Sequence, residues 1–301
     1  MPDAPAPIDA AADAPDGSDG GDSGANVLSG MYIGDSTTAR PFTIGFSPVM
    51  VCIKGDQSTG TACRTSTMMG DATKPVTGTS ALSPSRVTSL DPMGFTIGND
   101  ASVNASGVTY YWLAFRGTPN VYTGSYTANG TAGATISVGF HPNLIWIFPA
   151  TASVSVQRFG SETGPDAAIL FGSTAELQGL VTALTPNGFQ LGADNRVNTN
   201  GVLYHFVAWK GIATGSFAGN GTAQTVNVGT RAEYVTLKAN ADVTGYQRPA
   251  ALAAQDRTLP WNGTVSMSGC ITSLGATSFA VGANASCNPA GGTVFWAAFA
   301  R

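Results

Sequence analysis

Three arginines, Arg64, Arg158 and Arg248, recur 94 and 90 residues apart, and each lies 31 residues before a phenylalanine of another recurring motif, Phe95, Phe189 or Phe279. A guanidinium can clamp a carboxylate or bridge several backbone carbonyls, but it performs no covalent chemistry alone. Carboxylates that could receive it stand in a recurring loop as Asp100 and Asp194, with Asn284 at the third position. An enzyme does not ordinarily carry one site in triplicate within a chain, so a structural ion pair or a bridge to backbone is the expected role.

The same loops, NDASVN, ADNRVN and ANASCN, hold side-chain oxygens at fixed spacing. A calcium site needs six or more oxygen ligands, which these segments do not supply, and the third has no carboxylate. Asx-turn loops are the simpler reading. His141 and His205 both belong to the second unit at non-equivalent places, and the chain contains no GxSxG, no HExxH and no phosphate-binding loop. No catalytic residue, cofactor or metal ligand is assigned.

Aromatic side chains remain as candidates for contact with a ligand. Trp112, Phe206 and Trp296 are equivalent and read as core. Trp146 stands where the other units have Cys52 and Thr236, and Trp261 lies in the turn-rich segment LPWNG. These two, with Tyr246, are the candidate ligand contacts, because an aromatic on a loop can stack on a sugar ring. The four cysteines form two local pairs, Cys52 with Cys63 and Cys270 with Cys287, and neither has the CxxC spacing of zinc or redox sites. Two disulfides in an oxidising compartment are expected.

The elements that position these residues follow from self-comparison. GFTIGNDASVNASGVTYYWLAFRG (94–117) aligns without gaps to GFQLGADNRVNTNGVLYHFVAWKG (188–211), and more weakly to SFAVGANASCNPAGGTVFWAAFAR (278–301). Upstream, FTIGFSPVMVCIK (42–54) matches ISVGFHPNLIWIF (136–148) and VNVGTRAEYVTLK (226–238), while VTSL, VTAL and ITSL begin eight residues before each Phe. Every unit reads as short strands separated by Gly-rich turns, with no helical period. The expected fold is all-β: three tandem antiparallel β-sandwich repeats over 27–118, 119–211 and 212–301, behind a disordered acidic Asp/Ala/Pro/Gly leader or tether over 1–26.

Two strands break the expected pattern. Val49 to Ile53 and Tyr110 to Phe115 are apolar throughout, whereas a strand with one wet face should alternate. Both faces are therefore expected to be covered, by the unit's own core and by a loop, a neighbouring unit or another chain. Short linkers imply fixed orientation, either as a stiff rod or around a pseudo-threefold axis.

Composition excludes other classes. Charged residues make up 11% of the 301, and six of the 15 aspartates fall within residues 1–24, leaving a near-neutral remainder without a basic run. Nucleic-acid binding is not expected, and no apolar stretch reaches the length of a membrane span. The leader resembles the acidic tethers that follow the lipidated cysteine of bacterial surface lipoproteins, which places the protein outside the cell or on a bacterial surface.

A family resemblance adds to this. Gly45, Phe46, Pro48, Val51, Ile53 and Lys54, followed by Gly94, Phe95, Ile97, Gly98, Asp100, Val103, Asn104, Gly107 and Tyr110, look like the repeat domain of phage tail fibres and related surface proteins. The second unit matches almost as well through 139–147 and 188–204. The third departs, with Thr230 for the first Phe, Ala232 for the Pro and Ser278 for the Gly. The resemblance implies a β-sandwich at a surface or in a fibre, with receptor or glycan contact, and supplies no catalytic residue. A weaker likeness is to H-type lectins, trimeric sandwiches that three fused copies could imitate. The resulting expectation is a non-catalytic extracellular structural or adhesion protein. The alternatives are a carbohydrate-binding module and a subunit of a self-assembling fibre or homo-oligomer.

Overall fold

The computed structural model describes residues 26–160, 164, 166–253 and 256–301; apart from Asn26, the segment expected to be a leader lies outside the described residues. Copy one contains β1 (Val27–Ile33), β2 (Arg40–Thr43), β3 (Pro48–Gly55), β4 (Ala62–Thr65), β5 (Lys74–Pro75), β6 (Val87–Asp91), β7 (Gly94–Ile97), α1 (Ala101–Asn104) and β8 (Thr109–Arg116). Copy two repeats them as β9 (Val121–Thr127), β10 (Thr135–Ser137), β11 (Leu144–Pro149), β12 (Val156–Phe159), β13 (Ala167–Leu170), β14 (Leu177–Gln178), β15 (Val181–Thr185), β16 (Gly188–Leu191), α2 (Asn195–Asn198) and β17 (Leu203–Trp209). Copy three has β18 (Ala213–Ala218), β19 (Gln224–Asn227), β20 (Ala232–Ala239), β21 (Tyr246–Pro249), β22 (Leu259–Pro260), β23 (Ile271–Leu274), β24 (Ser278–Val281) and β25 (Thr293–Ala300).

Each copy builds a larger antiparallel sheet and a three-stranded one. In copy one these run β1-β8-β3-β4-β5 and β2-β7-β6, and the other copies follow the same order, with β14 added to the larger sheet of copy two. Between the two sheets sits a private core. Phe95 meets Trp112 edge-on at 5.5 Å between ring centroids, Phe189 meets Phe206 at 5.2 Å, and Phe279 meets Trp296 at 5.6 Å. These large rings fit because the facing first strand carries a glycine. A Cβ on Gly124 would lie 2.5 Å from Phe206, and one on Gly215 would lie 2.6 Å from Trp296.

The uniformly apolar strands now have a physical explanation. Along β3, Val51 and Ile53 enter the private core, whereas Met50 and Cys52 point the other way into a second core. β8 splits likewise, with Tyr110, Trp112 and Ala114 on one side and Leu113 and Phe115 on the other. β11, β17, β20 and β25 do the same. The period of two is intact, but it separates two cores rather than core from water.

That second core is shared by all three copies. At its centre the equivalent rings of Phe115, Trp209 and Phe299 form a triangle, with centroids 5.4, 5.1 and 5.6 Å apart. The copies are thus arranged about a pseudo-threefold axis, not as a rod. A ring of equivalent hydrogen bonds surrounds it: Leu82 N–H donates to Ala150 O at 3.1 Å, Glu176 N–H to Asn240 Oδ1 at 2.8 Å, and Ser266 N–H to Asp56 Oδ1 at 2.6 Å. Copy one reaches copy two, two reaches three, and three returns to one, which is how head-to-tail interfaces close into a ring.

Sequence reading expected no helix. One turn each forms at α1 and α2, because Asp100 and Asp194 cap the exposed amides there.

Candidate functional site

The recurrent arginines bind backbone. Arg64 Nη1 donates to Ala72 O at 2.6 Å and Val87 O at 3.4 Å, and its Nη2 to Met68 O at 3.1 Å and Gly70 O at 2.6 Å. Arg158 Nη1 reaches Ala167 O at 2.7 Å and Val181 O. Arg248 donates to the carbonyls of Arg257, Ile271 and Leu252. Val87, Val181 and Ile271 each begin the strand of the VTSL block, so every arginine ties the larger sheet of its copy to the smaller one. Burial pulls each guanidinium pKa down, partly offset by nearby acids.

Of the two expected roles for these arginines, the bridge to backbone is the one formed; Asp100 and Asp194, the possible ion-pair partners, bond elsewhere. Asp100 Oδ1 accepts from Ser102 N–H at 2.8 Å, and its carboxylate lies 3.5 Å from Arg86. Asp194 accepts from Arg196 N–H at 2.7 Å and pairs with the Arg196 guanidinium at 2.8 Å. Both acids are drawn to the start of their own helical turn, where free amides favour an anion. At the third position Asn284 accepts from Ser286 N–H at 3.0 Å.

The buried amides of Asn104, Asn198 and Asn288 hold the facing loops. Asn104 Nδ2 donates to Thr37 O at 2.9 Å, Asn198 Nδ2 to Thr131 O at 2.9 Å, and Asn288 Nδ2 to Thr222 O at 2.7 Å. Each amide uses both ends: Asn104 Oδ1 accepts from Asp35 N–H at 3.0 Å, Asn198 Oδ1 from Gly130 N–H at 3.1 Å, and Asn288 Oδ1 from Asn220 N–H at 3.0 Å.

Buried lysines were missed. Lys238 Nζ donates to Ala239 O and Ala241 O, both at 2.7 Å, and Lys54 does the same at the equivalent Gly55 O and Gln57 O. Copy two has Phe148 at this place. Its equivalent loop instead receives Lys74 from copy one, which donates to Thr151 O at 2.9 Å, Ser153 O at 2.8 Å and its own Ser80 O at 2.6 Å. Burial lowers all three ammonium pKa values to about 8.

The aromatics expected to meet a ligand do not reach the surface. Trp146 and Trp261 are 1% exposed and Tyr246 is 4% exposed. Trp146 packs at 5.1 Å from Trp209 in the shared core, and Trp261 folds back at 4.7 Å from Phe171 of copy two. Tyr246 lies in the private core of copy three. The environment of the two tryptophans depends on ring closure, which no local pattern encodes. Both expected disulfides are present: Cys52–Cys63 joins facing residues of β3 and β4, and Cys270–Cys287 joins the entry of β23 to the loop after β24. Trp146 faces Gln157 at the position of the first bridge in copy two.

Of the two histidines, His141 is exposed, with Nδ1 2.9 Å from Thr185 O. His205 is buried at the contact of copies one and two, with Nδ1 2.8 Å from Thr67 Oγ1. Burial pushes its pKa down to about 4, which keeps the ring neutral.

Open features among the described residues include the following two. A polar cleft of about 630 Å³ runs between Thr151–Ser153 and the Asp194–Thr199 turn of copy two. In copy one, Gln57 occupies the place of Thr151 and closes this gap by donating to Ala101 O and meeting Tyr110 Oη, both at 2.7 Å. A second cavity, of about 350 Å³, opens on the pseudo-threefold axis beside the aromatic triangle.

A family model described as Domain of unknown function (DUF7483) matches residues 119–235, which span copy two and the first strands of copy three. Comparison with curated proteins gives no match.

Proposed function

We propose that the protein is a non-catalytic extracellular surface protein with a structural or adhesion role, presented by its acidic Asp/Ala/Pro/Gly N-terminal segment. One observation supports this reading: the charged groups that recur or lie buried are engaged within the chain, the cations on carbonyls and the carboxylates on backbone amides and neighbouring arginines. The arginines tie sheets together, the lysines tie loops, and the aspartates cap turns. Such an arrangement favours a rigid block over a reaction centre. Two disulfides support an oxidising compartment, and among the described residues no helix is long and apolar enough to cross a membrane. Labelling intact producing cells with a membrane-impermeant amine reagent tests the reading. Labelled protein that is removed by external protease supports it; protein found only in the cytosol overturns it.

A second reading, carbohydrate contact, is favoured by the copy-two cleft. Its hydroxyl, amide and charged lining suits a polyhydroxylated ligand better than the buried aromatics do. A glycan array on the folded protein, repeated with Arg196→Ala, tests it. Binding lost in the variant supports this site, and a blank array with folded protein opposes it.

The apolar second faces of the strands are covered within one chain and lend the fibre reading no support, which leaves it resting on the tail-fibre likeness of the repeats.

A further inference from the structure

The axial cavity marks a departure from the repeat. In copy one Arg116 lies over the ring of Phe46 at 4.6 Å, and in copy two Lys210 lies over Phe140 at 5.1 Å. The equivalent pair in copy three is Ala300 and Thr230, two small residues, and both line the cavity. A position that two copies fill with a cation and an aromatic ring is left open in the third.

What surrounds the opening defines its chemistry. Phe115, Trp209 and Phe299 contribute aromatic rings, and the equivalent residues Val27, Val121 and Ile212 contribute an aliphatic collar. Among the described residues, Lys210 is the one charged residue in the lining, and none there is a carboxylate. At about 350 Å³ the cavity falls within the range of small-molecule sites.

We propose that this axial cavity binds a small aromatic carboxylate, its ring against the aromatic triangle and its anionic head toward Lys210, at one site per chain. The three rings in the lining offer aromatic faces to a flat ring, and a carboxylate is complementary in sign to Lys210. The site is independent of the adhesion reading and of the copy-two cleft.

Isothermal titration of the full chain with 2-naphthoate tests this, with 2-naphthylmethylammonium as the cation of similar shape. The expected result is one site per chain and at least tenfold weaker binding of the cation. Lys210→Met should weaken naphthoate at least tenfold. The double variant Thr230→Phe/Ala300→Arg, which installs the pair of copy one, should abolish binding. No binding by the folded wild type at millimolar naphthoate, equal binding of the cation, or unchanged binding in the double variant would each overturn the proposal. Should the double variant not fold, Lys210→Met and the cation decide the matter.

Discussion

The Lys74 ammonium of copy one lies 2.9 Å from the Thr151 carbonyl of copy two, supplying from a neighbour the cation that copies one and three carry in place as Lys54 and Lys238. Removing it leaves carbonyls of a part-buried loop without their donor. Lys74→Met should cost about 1–3 kcal/mol in chemical denaturation. Hydrogen exchange should show amides near residues 150–154 losing protection first. Unaltered protection there would mean that the loop does not depend on this contact.

Acid should loosen the contact of copies one and two. The folded pKa of His205 is about 4, below its ordinary value near 6.5. Between those values the unfolded chain takes up a proton that the folded one refuses. The stability is therefore complete above pH 6.5 and is lost as pH falls toward 4. The loss is on the order of 2 kcal/mol, allowing for partial solvent screening. His205→Phe, which copies the residue of copy three, should flatten this part of a plot of Tm against pH. An identical acid slope in the variant would assign the effect elsewhere.

Much of this arrangement was legible in the residues, and the rest was hidden for physical reasons. The 94 and 90 spacing of Arg64, Arg158 and Arg248 revealed three equivalent units, and Cys52 opposite Cys63 followed from the short segment between them. The apolar run at Val49 to Ile53 showed that both faces are covered. It did not show by what, since contacts between copies join residues far apart in the chain, such as Leu82 with Ala150 and Thr67 with His205, and leave no local period. Trp261 was a candidate contact for the same reason: its turn residues describe its backbone, whereas its ring packs on Phe171 of another copy. Lys74 falls outside the repeating blocks, and nothing local distinguishes it from a surface lysine. Asp100 and Asp194 were recognised as recurrent acids, but the choice between a distant arginine and a local cap was made by the geometry of the turn.

The glycines of the first strands should resist substitution. A side chain at Gly124 would collide with Phe206, which is itself held by Phe189 in the private core. Gly124→Val should destabilise by about 2–3 kcal/mol. Gly107→Ala provides a contrast, because no atom lies within 4 Å of its added carbon and only its positive φ opposes the change. Equal stability of Gly124→Val and wild type in urea would contradict the close strand–ring approach.

Reduction should weaken the chain without unfolding it. Cys270–Cys287 spans 17 residues and Cys52–Cys63 spans 11. Each bridge contributes about 2–3 kcal/mol through restriction of the unfolded chain. Thr236 and Gln247 replace the first pair in copy three, so the sheet forms there without it. The Tm should fall in reductant while the far-ultraviolet spectrum at 25 °C is retained; an unchanged Tm would contradict a stabilising role for either bridge.

The triangle of Phe115, Trp209 and Phe299 makes the three copies parts of one body. Equilibrium urea unfolding, followed by tryptophan fluorescence and by far-ultraviolet circular dichroism, tests this most directly. The expected result is one transition, coincident by both probes, that moves as a whole to lower urea in Trp209→Ala, with a loss of about 3–5 kcal/mol. Separate transitions in the wild type, or a variant in which one step shifts and the others stay, would contradict the shared core.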